Sequence, residues 1–147
     1  MRCVYCLAGE KLNESISVNE LGKVLEYVRS WALSESTIVS FIGGEPLICY
    51  DMIVKIVDGI NKTIDIKCNV SYNITTNGLL LNEKIMKFLG DNEFNITFSI
   101  DGFKTGNDVN RKLVNGESSY DKVEPKIKLL SDSYPMNKVS IRMTVKI

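Results

Sequence analysis

Two adjacent glycines, an acid and a proline mark the stretch that most constrains this chain. A β-type run over 38–42 leads into Gly43 and Gly44, and a helical pattern begins near Asp51. The glycines therefore lie at a strand-to-helix junction. A backbone without a Cβ can approach a ligand closely there.

Glu45 follows the glycines and precedes Pro46. Because proline keeps the residue before it in extended conformations, Glu45 is held as an acceptor at the carboxyl end of a strand. Open α/β sheets bind ligands at that end. A carboxylate suits a cationic or amine-bearing ligand, whereas a phosphate needs donors. The alternative is a tight turn with a solvated glutamate, and this stretch alone leaves both open.

Cys3 and Cys6 form a C-x-x-C pair, a spacing used for metal ligands and redox thiols. Three interpretations compete: half of a zinc site, a thioredoxin-like dithiol, and part of an iron–sulfur site. Zinc would need two further ligands, but the chain has no second such pair and no histidine. A thioredoxin motif should follow a strand, but only two residues precede Cys3. The iron–sulfur site is also incomplete within this chain. Cys49 and Cys68 stand alone and are expected to be buried thiols.

Composition excludes several classes of function. Eighteen basic residues balance eighteen acidic residues without a long block of either sign, which gives no support to nucleic-acid or membrane-surface binding. No apolar run reaches membrane-spanning length and the first residues do not resemble a signal peptide, so we expect a cytoplasmic protein. The 147 residues predict a single domain. Without histidine, chemistry must come from other side chains or a cofactor.

Helical and strand patterns alternate along the chain. Ser17 to Glu20 is typical of a capping box, Asp51 is a plausible N-cap, and Pro125 is expected in the first turn of the last helix. A polar loop is expected over 102–117. The predicted helices are about 19–33, 51 onward, 83–90 and 119–132, and the predicted strands are about 37–42, 69–75, 94–100 and 138–146. This order predicts an α/β protein with a parallel sheet and outer helices.

The last three predicted strands alternate apolar and polar residues, whereas fully buried parallel strands usually read as continuous apolar runs. Either the polar face meets solvent, or the sheet curves around a polar lumen that holds a ligand. We favour the lumen, because the polar faces lead to side chains near the carboxyl ends of the strands. These side chains are Thr75, Ser99 and Thr144.

Four short motifs follow the expected elements in order, and together they resemble the radical S-adenosylmethionine (SAM) superfamily. The likeness is to the branch of anaerobic sulfatase-maturing enzymes and peptide maturases with SPASM-type auxiliary clusters. It implies that the chain is a fragment of a partial (β/α)6 TIM-like barrel, with its site at the carboxyl ends of the strands. The motifs are Arg2-Cys3-Val4-Tyr5-Cys6, Gly43-Gly44-Glu45-Pro46, Thr76-Asn77-Gly78 and Ser99-Ile100-Asp101-Gly102.

The resemblance implies a role for most of these residues. Cys3 and Cys6 match the last two cysteines of a C-x3-C-x2-C motif, whose three thiolates hold a [4Fe–4S] cluster. The fourth iron of that cluster is chelated by the amino and carboxylate groups of SAM. Tyr5 matches an aromatic residue near the adenine, and the segment 43–46 matches the one that receives the methionine amino group.

Other residues are placed less specifically by the resemblance. Ser99 matches a polar residue near the ribose, and Arg142 offers a cation to the SAM carboxylate. Arg111 ends a short motif, 107–111, to which the resemblance gives no role. The remaining candidate cofactor-binding residues, on the rim of the site, are Thr76, Asn77 and Asp101.

The implied chemistry is reductive cleavage of SAM by the cluster, which yields methionine and a 5′-deoxyadenosyl radical. The radical takes a hydrogen atom from a peptide or protein substrate, and an electron donor such as flavodoxin or ferredoxin is implied. The cofactors perform the difficult chemistry, and the protein positions them. The absence of histidine is compatible with this mechanism.

The chain departs from the family pattern at both ends. The first motif cysteine would lie two positions before Met1, and the first strand and the last part of the barrel are not in the sequence. We therefore expect the 147-residue polypeptide not to cleave SAM, and we expect its unpaired sheet edges to promote self-association. Two alternatives remain: a cluster-free α/β module that binds a small molecule or nucleotide without its cysteines, and a non-catalytic fragment that binds neither SAM nor iron.

Overall fold

The computed structural model describes residues 1–6, 16–31, 36–63 and 69–145. The strands are β1 (Arg2–Cys3), β2 (Ser36–Phe41), β3 (Asn69–Thr76), β4 (Asn95–Ser99), β5 (Arg111–Lys112) and β6 (Val139–Arg142). The helices are α1 (Val18–Trp31), α2 (Tyr50–Thr63), α3 (Glu83–Asp91), α4 (Lys104–Asn110) and α5 (Tyr120–Ser133). Short 3₁₀ segments, Pro46–Cys49 and Met136–Lys138, precede α2 and β6.

Four strands form one parallel sheet in the order β2-β3-β4-β6. Phe41 lies beside Ile74 in neighbouring strands, and Ser99 lies beside Arg142. Since all four strands run in the same direction, their carboxyl ends lie at one edge of the sheet. The predicted α/β class with a parallel sheet and helices is confirmed.

The core lies between the helices and one face of the sheet. The Phe94 ring is stacked with those of Phe41 and Tyr72, with centroids 5.8 Å and 5.2 Å apart. The Tyr134 hydroxyl donates to the main-chain oxygens of Phe94 (2.6 Å) and Leu89 (3.1 Å), so no buried hydroxyl is left unpaired there. Other buried core residues are Ile53, Val57, Ile60, Ile74, Leu81, Ile85, Ile96, Phe98, Val123 and Leu130.

The opposite face of β3 and β4 carries half-buried polar side chains, as the alternation predicted. Strand β6 differs, because it ends at Arg142 rather than near residue 146, and Val139 is half-buried while Ile141 is exposed. Ile141 is 55% and Met143 is 51% exposed. β6 is the last strand of the sheet, and no strand that the structure describes pairs with its outer edge.

The prediction of a polar loop over 102–117 was wrong. This region contains α4 and β5, and β5 pairs antiparallel with β1 so that Arg111 lies opposite Cys3. Both elements are too short, and α4 is too rich in glycine and asparagine, to give a periodic apolar signal.

Two predicted helix starts also need correction. Asp51 is not the N-cap of α2, because a 3₁₀ segment precedes this helix. The cap of that 3₁₀ segment is Glu45, whose side chain accepts a hydrogen bond from the Leu47 N–H (3.2 Å). Pro125 lies in the second turn of α5, not the first, because the helix begins at Tyr120.

Two caps follow the sequence more closely. The Asn82 side chain accepts from the Ile85 N–H (3.0 Å) and begins α3, as predicted. At the start of α1, Glu20 accepts from both the N–H and the hydroxyl of Ser17, at 2.8 Å each, so the carboxylate half of the capping box is present. The predicted end of this helix at 32–33 lies outside the described residues, as does Cys68.

No helix in the described ranges has both the length and the apolar character needed to span a membrane.

Candidate functional site

Glu45 joins the carboxyl ends of two strands. One carboxylate oxygen, Oε1, accepts from the Thr76 hydroxyl (2.8 Å) and the Leu47 N–H (3.2 Å), and Oε2 accepts from the Asn77 N–H (2.8 Å). The backbone of Glu45 is extended (φ −153°, ψ 105°), as Pro46 requires. The alternative of a solvated glutamate is wrong, because this half-buried carboxylate already accepts three hydrogen bonds.

The environment of Glu45 favours a cationic ligand. Burial raises the pKa of this carboxyl above its usual range, and the hydrogen bonds from Asn77, Thr76 and Leu47 only partly oppose that effect. A nearby positive charge stabilises a desolvated carboxylate. The carboxylate has about four lone-pair sites and uses three, so it can accept from one further donor.

Gly43 and Gly44 are exposed, and neither is required to be glycine by the described structure. A Cβ built on either residue meets no atom within 4 Å, and neither has a positive φ. Their space beside Glu45 is open to a ligand. Gly78 differs, because its φ is +78° and a Cβ there would overlap the Phe98 ring.

The turn after β3 is held by its own side chains. The Thr76 hydroxyl accepts from the Gly78 N–H (3.0 Å), and the Asn77 side-chain oxygen accepts from the Leu79 N–H (3.0 Å). Thr76 is 1% exposed, so it can influence a ligand only through Glu45. Asn77 is half-buried and is placed at the rim.

Asp101 is the centre of a second network, at the end of β4. Its Oδ2 accepts from the Tyr5 hydroxyl (2.5 Å), and its Oδ1 accepts from the Thr144 N–H (3.0 Å). Burial opposes ionisation of Asp101, but these two bonds and the charge of Arg111 outweigh it and lower the pKa of the carboxyl. Burial and the bond to Asp101 raise the pKa of Tyr5 to about 12, so Tyr5 remains a donor at neutral pH.

Arg111 completes this network. Its Nε lies 3.2 Å from Asp101 Oδ1, although the direction of the N–H does not make this contact a hydrogen bond. Its guanidinium carbon lies 5.5 Å from the centroid of the Tyr5 ring, and its Nη1 lies 3.9 Å from Cys3 Sγ. The ion pair is almost fully buried, with 8% and 2% of the two side chains exposed.

The two motif cysteines lie on one turn, in which the Cys6 N–H donates to the Cys3 carbonyl (3.2 Å). Cys3 is half-buried, Cys6 is exposed, and neither is in a disulfide. Two thiolates on one turn suit an iron–sulfur cluster but supply fewer than the three that a site-differentiated cluster uses. Within the described ranges, no group of three or more acidic, cysteine or histidine side chains could hold a metal ion.

The structure brings some predicted site residues into contact and leaves others apart. It joins Glu45 to the Thr76-Asn77 turn, and it joins Tyr5 to Asp101. Ser99 and Arg142 are neighbours in register, and the Arg142 side chain is exposed. Cys49 is half-buried rather than buried, and it is the last residue of the 3₁₀ segment Pro46–Cys49.

Sequence reasoning gave no role to Arg111 and did not single out Asn107. Asn107 is 2% exposed; its side-chain oxygen accepts from the Asp101 N–H (3.3 Å), and its amide donates to the Ser119 hydroxyl (2.9 Å). The available signal was their position in the chain, since both residues lie in the short segment that follows the Asp101-Gly102 turn.

Comparisons with known proteins agree with this arrangement. The profile of the Radical SAM superfamily matches residues 1–146. The chain is 34% identical over 119 residues to an uncharacterized protein of Methanocaldococcus jannaschii, covering 81% of this chain and 40% of the relative. It is 32% identical over 139 residues to the cysteine-type anaerobic sulfatase-maturating enzyme of Clostridium novyi, covering 89% of this chain and 37% of the relative.

A GTP 3′,8-cyclase of Clostridium botulinum is 29% identical over 129 residues, covering 81% of this chain and 39% of the cyclase. Among solved structures, native anSMEcpe with bound AdoMet and the Kp18Cys peptide superimposes with a TM-score of 0.84 and 26% identity, covering 97% of this chain and 39% of that one. The chain thus spans about two fifths of the length of these proteins. Because the profile matches almost every residue, the chain belongs to the radical SAM superfamily.

Proposed function

We propose that this chain is the core domain, over residues 1–147, of a radical SAM enzyme that modifies a peptide or protein. One observation carries the proposal: the Tyr5–Asp101 hydrogen bond fastens the C-x-x-C turn to the edge of the sheet at which Glu45 lies. Two cysteine side chains and a desolvated carboxylate thus lie at one edge of a parallel sheet, where α/β proteins bind ligands.

The residues present fit both cofactors in their chemistry. Cys3 and Cys6 would ligate two irons of a [4Fe–4S] cluster, and a third thiolate would complete the set. When bound and reduced, the cluster supplies the electron that cleaves SAM. Glu45 would accept from the methionine ammonium with its remaining acceptor site, and the open space at the two glycines would admit the ligand backbone.

Other residues would complete the SAM site. Ser99 and Arg142 are neighbours at the ends of β4 and β6, where a hydroxyl suits the ribose and a guanidinium suits the SAM carboxylate. Tyr5 would lie near the adenine while its hydroxyl remains bonded to Asp101. Asn77 would line the rim.

We propose a peptide or protein as the substrate class. Support comes from the sulfatase-maturating relative, which aligns over 89% of this chain, and from the Kp18Cys peptide that accompanies AdoMet in the superimposed structure. The whole enzyme would take electrons from a donor such as flavodoxin or ferredoxin and work in the cytoplasm, where thiols remain reduced. Auxiliary SPASM-type clusters would belong to parts of such an enzyme beyond this core.

The direct test is cluster assembly in a chain lengthened at its amino end to place a cysteine two positions before Met1. The lengthened chain is reconstituted anaerobically with iron and sulfide, and its iron content and cluster absorbance are measured. We expect a cluster in the lengthened chain and loss of it in Cys3→Ala and Cys6→Ala. The matched control is Cys49→Ala, which removes a thiol outside the motif and should leave the cluster in place.

Equal cluster content in Cys6→Ala and Cys49→Ala would contradict the assignment of the ligands. Absence of any cluster in the folded lengthened chain would contradict the proposed function itself.

A further inference from the structure

Arg111 is a nearly buried cation for which the proposed function has no use. It is 6% exposed, and its partner Asp101 is 7% exposed. A buried ion pair gains little net stability over apolar residues of similar size, because both charges lose their hydration. Stability alone therefore does not explain why a charged side chain is buried at this position.

The backbone places Arg111 against the cysteine turn. Strands β1 and β5 pair so that the Cα atoms of Cys3 and Arg111 are partners, and the Val4 N–H donates to the Asn110 carbonyl (2.9 Å). The guanidinium then reaches three groups of the first five residues. It lies over the Tyr5 ring (5.5 Å) and approaches the sulfur atoms of Cys3 and Met1 at 3.9 Å each.

Asp101 fixes the other side of the guanidinium. Its carboxylate is bonded to Tyr5 and to the Thr144 N–H, so the amino-terminal turn, the end of β4 and the segment after β6 meet at one group. Because Arg111 is enclosed and already paired, it is not available to bind the carboxylate of a substrate or of SAM. Its Nη1 is directed toward the sulfur atoms of Cys3 and Met1 instead.

We propose that Arg111 is a positioning residue that holds the C-x-x-C turn against the sheet edge and presents a positive charge to the Cys3 sulfur. The second part rests on the proposed function, since it concerns a cluster bound by Cys3. The potential of an iron–sulfur cluster depends on its net charge and on hydrogen bonds to its sulfur atoms. A fixed cation beside a ligating thiolate favours the more negative, reduced state and so raises the potential.

The positioning role is tested on the 147-residue chain without a cluster. Amide hydrogen exchange is compared in wild type, Arg111→Gln and Lys112→Gln, an adjacent exposed cation on the same strand that serves as the control. We expect exchange at the Val4 amide to be about a hundredfold faster in Arg111→Gln, since removing one partner of a buried ion pair releases the segment that it holds. Exchange at the Phe98 amide, in β4, should be unchanged.

Val4 exchange in Arg111→Gln equal to that in Lys112→Gln would overturn the positioning role. If Arg111→Gln unfolds, as faster Phe98 exchange would show, Arg111→Lys decides, because it keeps a charge for Asp101 but loses the fork that reaches Cys3. We then expect Val4 exchange about tenfold faster than in Lys112→Gln, and equal exchange would overturn the role.

The charge effect is tested in the lengthened chain by titrating the reduction potential of the reconstituted cluster. We expect a lower potential in Arg111→Gln and a wild-type potential in Lys112→Gln. A wild-type potential in both variants would overturn the charge effect. If wild type forms no cluster, the proposed function and the charge effect fail together, whereas the exchange data decide the positioning role by themselves.

Discussion

Two carboxyl groups at the same edge of the sheet have pKa values that are shifted in opposite directions. Burial dominates at Glu45 and raises its pKa, whereas at Asp101 the bonds from Tyr5 and Thr144 and the charge of Arg111 outweigh burial and lower the pKa. Asp101 is thus satisfied within the chain. Glu45 remains the carboxylate that gains from a ligand with a positive charge.

This difference predicts how Glu45→Gln changes stability with pH. Because the folded protein binds the Glu45 proton more tightly than the unfolded chain does, the wild-type contribution is fully present below the ordinary carboxyl pKa of 4.5 and is lost as the pH rises through the raised pKa. Glutamine resembles the protonated acid and does not titrate. We therefore expect the variant to gain stability relative to wild type between pH 4 and pH 7.

The measurement is urea unfolding of both proteins at several pH values in that range. A stability difference that is constant with pH would contradict the raised pKa. In titrations at pH 7, Glu45→Gln should bind SAM about tenfold to a hundredfold more weakly than wild type does. The reason is that one charge-assisted hydrogen bond to the ammonium group of SAM is lost.

A pair of glycine substitutions separates structural from ligand requirements. We expect Gly78→Ala to destabilise the fold by about 2–4 kcal/mol, since the new Cβ would overlap the Phe98 ring. In addition, a φ of +78° is strained for a residue that has a Cβ. Gly43→Ala should change the free energy of unfolding by less than about 0.5 kcal/mol, because its Cβ would meet open space.

Denaturant unfolding and SAM titration of both variants check this pair. Gly43→Ala is expected to weaken SAM binding while remaining fully folded. Unchanged SAM binding in Gly43→Ala would show that the open space at the glycines is not the ligand site.

At the scale of elements, the main helices and strands could be predicted because each presents a long periodic pattern or a clear cap. Asn82 and the strands β3 and β4 are examples. The two-residue strands β1 and β5 could not be predicted, because two residues carry no period. Nor could the Tyr5–Asp101 bond, which joins positions 96 residues apart and depends on the whole fold.

The two turns of the candidate site that follow strands could be placed from the sequence alone. Turns such as Gly43 to Pro46 and Thr76 to Gly78 follow their strands directly, so parallel pairing is sufficient to bring them to one edge. Arg111 reaches the site through β5, and its contribution therefore required the structure.

The sheet edge at β6 leads to a prediction about association of the 147-residue polypeptide. Its exposed Ile141 and Met143 border the unpaired backbone of an edge strand, and such an edge can pair with another copy. We expect sedimentation velocity to show larger species as the concentration rises. Ile141→Lys should reduce them, because a charged side chain blocks edge pairing.

Ile48→Lys is the control, since Ile48 is 74% exposed but lies in a 3₁₀ segment away from the strand. Equal association of the two lysine variants, or a monomer at every concentration, would contradict association through this edge.

At the scale of the whole molecule, the chain covers one core of a larger family architecture, about two fifths of the length of its relatives. Its candidate site is assembled from an amino-terminal turn, the ends of parallel strands and the short helix α4, which no local sequence pattern predicts. We propose that this assembly serves SAM cleavage by a cluster that needs one thiolate more than the C-x-x-C turn supplies.

The measurement that tests this claim most directly is 5′-deoxyadenosine formation after anaerobic reconstitution and reduction in the presence of SAM. The lengthened chain is predicted to release 5′-deoxyadenosine and methionine, whereas its Cys6→Ala variant and the 147-residue chain are predicted to release neither. A folded lengthened chain that binds SAM but never cleaves it would favour a cluster-free binding module. Cleavage by the 147-residue chain alone would contradict the requirement for a third thiolate.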